Sequence, residues 1–190
     1  MNDPFHGPWP HPGPESRWTR PSDFCPHPQW WTASDAYSTE VEVTELVAAF
    51  VRALQPEYVV ETGTCWGQTA EAVGRALATN GHGHLDSLEI DPVKVAHSRT
   101  RCDGLPVTVV ARPSLEFTPA APIGFAWFDS LLELRVPEFE RYRPWLAAGA
   151  IVGFHDTAPH MGYGHQVDGI AGVRPIRLRT PRGVTFCEVL

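Results

Sequence analysis

The first stretch whose residue types and spacing could do chemistry is Glu61-Thr62-Gly63-Thr64-Cys65-Trp66-Gly67-Gln68-Thr69. Gly63 and Gly67 allow a backbone to come close to a bound molecule, and a helix starting after them would offer free N–H groups to an anion. Cys65 stands where the dinucleotide fingerprint GxGxxG has its second glycine, and no Gly-Lys-Ser/Thr follows. The turn is therefore neither that fingerprint nor a P-loop. The second candidate is Glu89-Ile90-Asp91-Pro92. An acid ending the second strand of a nucleotide-binding sheet can accept both ribose hydroxyl protons, and Glu89 is the residue expected there. Asp91 reads equally well as the N-cap of a helix opened by Pro92. Two further apolar runs close on charged or imidazole groups, Phe128-Asp129 and Phe154-His155-Asp156.

Regular elements must position these groups. Val43, Leu46, Val47, Phe50, Val51 and Leu54 recur at helical spacing, with Thr39 and Glu42 in capping-box relation at the start. Tyr58–Gly63 reads as a buried strand, and residues 67–79 as a helix closed by Asn80-Gly81. His84–Asp91 follows as a second strand and residues 92–101 as a second helix of the alternation. Val107–Ala111, Ile123–Asp129 and Ala150–Asp156 read as strands, and residues 137–147 as a helix opened by Pro137. Residues 112–122 are too short and proline-rich for a helix. Val173–Thr180 and Gly183–Leu190 flank Pro181-Arg182 as an antiparallel hairpin. The expected fold is α/β, a doubly wound, mostly parallel sheet ending in that hairpin. Residues 1–36 stand apart as an arm before the domain of residues 37–190. The first thirty hold eight prolines, and Trp9, Trp18, Trp30 and Trp31 fall within the arm. Its aromatics are expected to dock on the domain, on a partner subunit in a homo-oligomer, or over a ligand, with residues 1–15 a mobile leader.

With Glu61 ending a strand and two glycines four apart, the turn resembles motif I of class I S-adenosylmethionine-dependent methyltransferases. Between Ile123 and Pro159 the likeness is more telling. Phe128-Asp129-Ser130, then Trp145 to Val152 leading into His155-Asp156-Thr157, is similar to a small O-methyltransferase group. That group includes macrocin and rhamnosyl O-methyltransferases and cephalosporin hydroxylase-type proteins (methyltransferase domain 24 type), and catechol O-methyltransferase is more distantly similar. The resemblance implies S-adenosylmethionine as cofactor, held by Glu61, Gly63, Thr64, Gly67, Glu89, Ser114 and Asp129, with Ser114 at the adenine edge unless it is only a turn residue.

The resemblance also implies a divalent metal, because in metal-dependent members acids after strands four and five hold an ion, usually magnesium. The matching positions here are Asp129, His155 and Asp156. His155 stands where many relatives carry an acid, which shifts the preference toward manganese, iron or zinc. Alternation sends consecutive strand residues to opposite faces, so His155 and Asp156 can both ligate only if the strand has ended by His155. The plainer reading makes Asp156 a turn cap and gives Asp129 to the cofactor. Catechol-type enzymes carry a lysine three residues past the strand-four acid, where this chain has Leu132. His160 and His165 are the imidazoles left to act as general base, and with Asp129 they make the expected catalytic set.

The 190 residues suffice for one domain with a core, and 43% hydrophobic against 19% charged residues is a globular balance. A formal charge of −7, with Lys94 the single lysine, argues against a broad nucleic-acid footprint. No apolar run approaches a membrane span. Four scattered cysteines and a start without secretory features make a cytoplasmic location the expectation. The function expected is methyl transfer to a hydroxyl of a small molecule, a sugar or a secondary metabolite of natural product biosynthesis. The alternative is a non-catalytic binding or scaffold protein of the same fold, and a nicotinamide dehydrogenase is disfavoured by Cys65.

Overall fold

The computed structural model describes Trp18, residues 20–35 and residues 37–190, so the leader expected over residues 1–15, and Trp9 with it, lies outside the described residues. The strands are β1 (Tyr58–Thr62), β2 (His84–Glu89), β3 (Val107–Ala111), β4 (Ile123–Phe128), β5 (Leu146–His155), β6 (Val173–Leu178) and β7 (Val184–Val189). They form one sheet in the order β3-β2-β1-β4-β5-β7-β6. The first five are parallel, and β7 runs antiparallel to both β5 and β6. The doubly wound, mostly parallel sheet with a terminal hairpin is thus the fold of this chain. The hairpin's second strand is the one that enters beside β5. Val184, Thr185, Phe186 and Cys187 are buried, whereas β6 carries Arg174, Pro175 and Arg177 on an exposed edge that needs no continued ladder.

The helices are α1 (Val41–Leu54), α2 (Gln68–Asn80), α3 (Pro92–Arg101), α4 (Arg135–Tyr142) and α5 (Gly164–Asp168). Alternation along β1 and β4 feeds two cores. Val59, Phe125 and Trp127 pack with Val43, Val47, Val51 and Leu77 of α1 and α2, while Val60, Ala126 and Phe128 pack with Phe139 and Tyr142 of α4. Asp91 caps α3 by accepting from the Val93 N–H at 2.8 Å, and Gly81 ends α2 in the left-handed conformation.

Three boundaries differ from expectation, each for a tertiary reason. The Thr39–Glu42 capping box does not form: α1 starts after Glu40 without a side-chain cap. The Glu42 carboxylate instead accepts from the Thr32 N–H and hydroxyl at 3.0 and 2.9 Å, and the Thr39 hydroxyl donates to Asp129 at 2.7 Å. α4 begins at Arg135, two residues before Pro137, which still falls in the first turn, where its missing N–H costs nothing. β5 begins at Leu146 and ends at His155, and Asp156 turns into the left-handed region with φ +60°. The described part of the arm packs on the domain through buried Cys25, Pro28 and Ala33. Trp30 stays 66% exposed, its ring stacked on His27 at 4.3 Å. All four cysteines are free. No helix among the described residues is long and apolar enough to cross a membrane.

Candidate active site

β1 has β2 on one side and β4 on the other, so the strand order reverses between β1 and β4. Ligands bind at such switch points, outside the carboxyl ends of the strands. A cavity of about 560 Å³ lies there. Of the residues singled out from the sequence, Gly63, Thr64, Glu89, Ser114 and Asp129 line it. Glu61, Gly67, His155, Asp156, His160 and His165 are not on its wall.

Gly63 has φ +82°, and a Cβ there would stand 2.4 Å from the Asp129 carbonyl oxygen and 2.8 Å from the Ser130 Cα. The missing side chain therefore serves the close approach of the β1 and β4 ends, as well as leaving the cavity open. Gly67, expected against the cofactor, is the left-handed N-cap of α2. A Cβ there would press on Ser98 of α3 at 3.0 Å, so this glycine serves helix packing. Glu61, also expected on the cofactor, is buried opposite Ser87 of β2, whose hydroxyl donates to its Oε2 at 2.5 Å. Burial, helped by the Asp129 and Glu89 charges, pushes the Glu61 carboxyl up to about 8. It is a mostly protonated interior group at neutral pH, shut off from the cavity.

Glu89 sits at the cavity with its carboxylate already oriented. Oε2 accepts from the Cys65 N–H at 2.8 Å, and Oε1 accepts from the Ile90 and Asp91 N–H groups at 2.8 and 3.0 Å. One side chain thus ties the glycine turn to the end of β2 and keeps acceptor capacity for a ligand hydroxyl, since a carboxylate has about four acceptor sites. The Ser114 hydroxyl donates to buried Glu138, which also accepts from Thr62 Oγ1 at 2.8 Å. Ser114 therefore braces the wall more than it offers a free donor. Ile90 (67% exposed) and Leu115 (39% exposed) also line the cavity and give it apolar walls. Leu115 belongs to the Ser114-Leu115-Glu116 segment expected at the adenine edge, and Ile90 directly follows the acid at the strand end.

At the other end of the cavity, six ionisable groups meet. Asp129 Oδ1 faces His155 Nδ1 at 3.0 Å, and His155 Nε2 faces Glu40 Oε2 at 2.6 Å. Arg135 Nη2 lies 3.0 Å from Asp129 and 2.8 Å from Asp156. Arg182, in the β6–β7 turn, meets Asp156 through Nε at 2.5 Å and Nη2 at 2.9 Å. Its Nη1 donates to the Tyr37 and Ser38 carbonyls, fastening the segment that follows the arm beside the cavity. Burial alone would lower the His155 pKa, but the Asp129, Asp156 and Glu40 carboxylates outweigh it and push it up to about 10. Burial would raise Asp156, but His155, Arg182 and Arg135 hold it well below the usual carboxylate range. Glu40 is lowered in the same way by His155. Three carboxylates thus face two guanidiniums and an imidazolium. Glu40, Arg135 and Arg182 gave no sequence signal: Glu40 lay between the two expected capping-box residues, Arg182 was read as a turn residue and Arg135 preceded the expected helix.

A family model described as a methyltransferase domain matches residues 60–157, just over half of the chain. The chain belongs to the methyltransferase-domain family. The match runs from the middle of β1 to the residue after Asp156, so it takes in the glycine turn, Glu89, Asp129 and His155. No curated protein matches the chain. Among solved structures, cofactor-bound Rv0187 from MTB superposes with a TM-score of 0.73 at 16% identity, over 82% of this chain and 83% of that one. A putative O-methyltransferase from Klebsiella pneumoniae gives 0.72 at 15% identity, over 82% and 83%. The O-methyltransferase TomG from Streptomyces achromogenes, involved in tomaymycin synthesis and solved with SAM, gives 0.66 at 19%, over 80% and 82%. At these identities the likeness is one of fold.

In this methyltransferase-domain chain the expected general bases do not reach the cavity. His160 sits in the turn Pro159–Met161, on a separate depression lined by Trp18, Arg20 and Cys25, and His165 lies in α5. Tyr163 and Val167 anchor this segment in the core beside Phe128, Phe139 and Phe154, while His160 and His165 stay off the cavity wall. Of the expected catalytic set, Asp129 alone lines the cavity. Asp129, His155 and Asp156 do converge, each offering a donor atom within 4.8 Å of the others. That convergence requires β5 to end at His155, as it does.

Proposed function

We propose that the protein transfers the methyl group of S-adenosylmethionine to a hydroxyl of a small molecule, a sugar or secondary metabolite. The observation that carries this reading is the cavity at the β1/β4 switch point with the anchored Glu89 carboxylate on its wall, in a chain of the methyltransferase-domain family. The volume and the mixed apolar and polar lining suit a nucleoside-type cofactor with room for an acceptor. Glu89 would hold the ribose, Gly63 and Thr64 the methionine part, and Ile90, Leu115 and Ser114 the adenine end. When bound, S-adenosylmethionine supplies an already activated methyl group, so the protein's task is alignment and removal of the acceptor proton. In this reading Asp129 takes the second task. Its Oδ1 is engaged by His155 and Arg135, while Oδ2 receives one hydrogen bond from Thr39 and keeps acceptor capacity beside the cavity. Tyr37–Thr39, which follow the arm of residues 1–36 at the start of the domain of residues 37–190, close the same end with Leu131 and Leu134.

Glu89→Ala is expected to weaken S-adenosylhomocysteine by ~1.5–3 kcal/mol, the range for hydrogen bonds to a charged group. Calorimetry on protein verified as folded measures it, and unchanged affinity would move the ribose site elsewhere. Transfer of labelled methyl to pools of hydroxylated small molecules, with release of S-adenosylhomocysteine, tests the activity itself. Tight cofactor binding with no transfer to any pool would favour the scaffold alternative.

A further inference from the structure

We propose that the centre at the ends of β4 and β5 is metal-free, with the Arg135 guanidinium in the place that a divalent cation would take. Arg135 Nη2 already stands between the two carboxylates that such an ion would bridge, 3.0 Å from Asp129 and 2.8 Å from Asp156. The guanidinium is not a surface group that can swing aside. Its side chain is 4% exposed, its Nε and Nη2 donate to the Ser130 carbonyl at 2.9 and 2.7 Å, and its Nη1 donates to the His155 carbonyl. The ring of Tyr163 lies against it at 5.5 Å. Moving it would strand the Ser130 carbonyl and take a buried positive charge from between Asp129 and Asp156.

The remaining donors are committed as well. Asp156 Oδ2 accepts from Arg182 Nη2 at 2.9 Å, and Oδ1, which accepts no hydrogen bond, is ion-paired with Arg182 Nε at 2.5 Å. Each nitrogen of His155 faces a carboxylate, Asp129 or Glu40, so both are placed to donate rather than to give a lone pair to an ion. Counted as a unit, Glu40, Asp129 and Asp156 are balanced by Arg135, Arg182 and the doubly hydrogen-bonded His155. Two more positive charges beside a locked guanidinium would meet repulsion with no unpaired carboxylate to offset it. Arg135 performs the holding role of a bridging ion, because its fork joins the residues after β4 to the end of β5. It differs from an ion in offering no open coordination position to polarise an acceptor oxygen, so any proton removal at this end falls to a protein group.

The test needs no turnover and does not depend on the acceptor or on methyl transfer. Manganese is titrated into the wild-type protein while the electron paramagnetic resonance signal of the free aquo ion is followed. The expected result is an undiminished signal at millimolar manganese and the same melting temperature in manganese and in chelator. Stoichiometric loss of that signal, itself lost in Asp156→Asn, would overturn the proposal. Arg135→Met removes the guanidinium but keeps the carboxylates, and the folded variant is expected to take up manganese and to melt higher in its presence. A folded Arg135→Met that ignores manganese would equally overturn the assignment of the cation's place. If that variant does not fold, the wild-type titration decides alone.

Discussion

Gly63→Val is expected to destabilise the fold by about 5 kcal/mol rather than merely empty the cavity. The position combines φ +82° with a Cβ site 2.4 Å from the Asp129 carbonyl oxygen and 2.7 Å from its carbon. Both neighbours are backbone, so neither can yield by changing a rotamer. The left-handed conformation costs an ordinary residue ~1–2 kcal/mol, and forcing extra atoms into packed surroundings adds roughly 1–3 kcal/mol. A β-branched side chain stands at the upper end of both. The sum is a large part of the ~5–15 kcal/mol that holds a domain of this kind together. Gly63→Ala, with the same Cβ but no branch, is expected to fold with a melting temperature lowered by ~5–15 °C, at ~2–4 °C per kcal/mol for this size. Circular dichroism melts of both variants provide the check. A Gly63→Val protein that melts like wild type and only loses cofactor affinity would show that the close approach is to the ligand and not to β4.

The second large effect is expected at His155. Its ring is fully buried, with a carboxylate on each nitrogen. Removing one partner of a buried ionic network costs about 3–5 kcal/mol, since the charges left behind lose both compensation and water. His155→Ala should therefore melt on the order of 10 °C lower at neutral pH. The pH profile carries the more specific prediction. Because the folded pKa of His155 is raised from 6.5 to about 10, its stabilisation is complete below pH 6.5 and is lost as pH climbs toward 10. Glu61 adds a decline of the same sign between 4.5 and about 8, because the folded state keeps its proton longer than the unfolded chain. Asp156 and Glu40 act oppositely: their lowered values give stability above the ordinary carboxylate range that is lost in acid. Wild-type stability should thus fall through the alkaline range, and in His155→Gln the fall from pH 8 to 10 should be shallower, the remainder coming from buried cysteines and tyrosines whose pKa values burial also raises. If wild type and His155→Gln lose stability in parallel from pH 8 to 10, the imidazole is not held protonated by its carboxylates.

The frame of the fold was legible from local pattern. Tyr58–Thr62, Ile123–Phe128 and the helix Val41–Leu54 show their periodicity directly. An alternation of strands and helices then leaves a right-handed, doubly wound sheet as the solution. Since such sheets bind at the carboxyl ends of their strands, Gly63, Glu89 and Asp129 could be placed on one edge before any coordinates. The cap at Asp91 and the stop at Gly81 were legible for the same reason, because each depends on groups within one turn of the chain.

What the sequence determined by itself is therefore the architecture, the edge that carries the site and the acid that closes β2. What only the tertiary structure decided is the partner of each polar group at that edge. Thr39 and Glu42 have capping-box spacing, yet Asp129 and Thr32 claim them. Glu61 ends the strand beside the glycine turn, yet strand register buries it against Ser87. Asp129, His155 and Asp156 have the composition of a metal site, yet Arg135 from the start of α4 and Arg182 from a distant hairpin arrive between them. Periodicity and capping are set by neighbours a few residues away, so they are written locally. A buried charge must find its counter-charge wherever the packed chain brings one, and that pairing is settled by three-dimensional proximity across more than a hundred residues, as between Glu40 and His155.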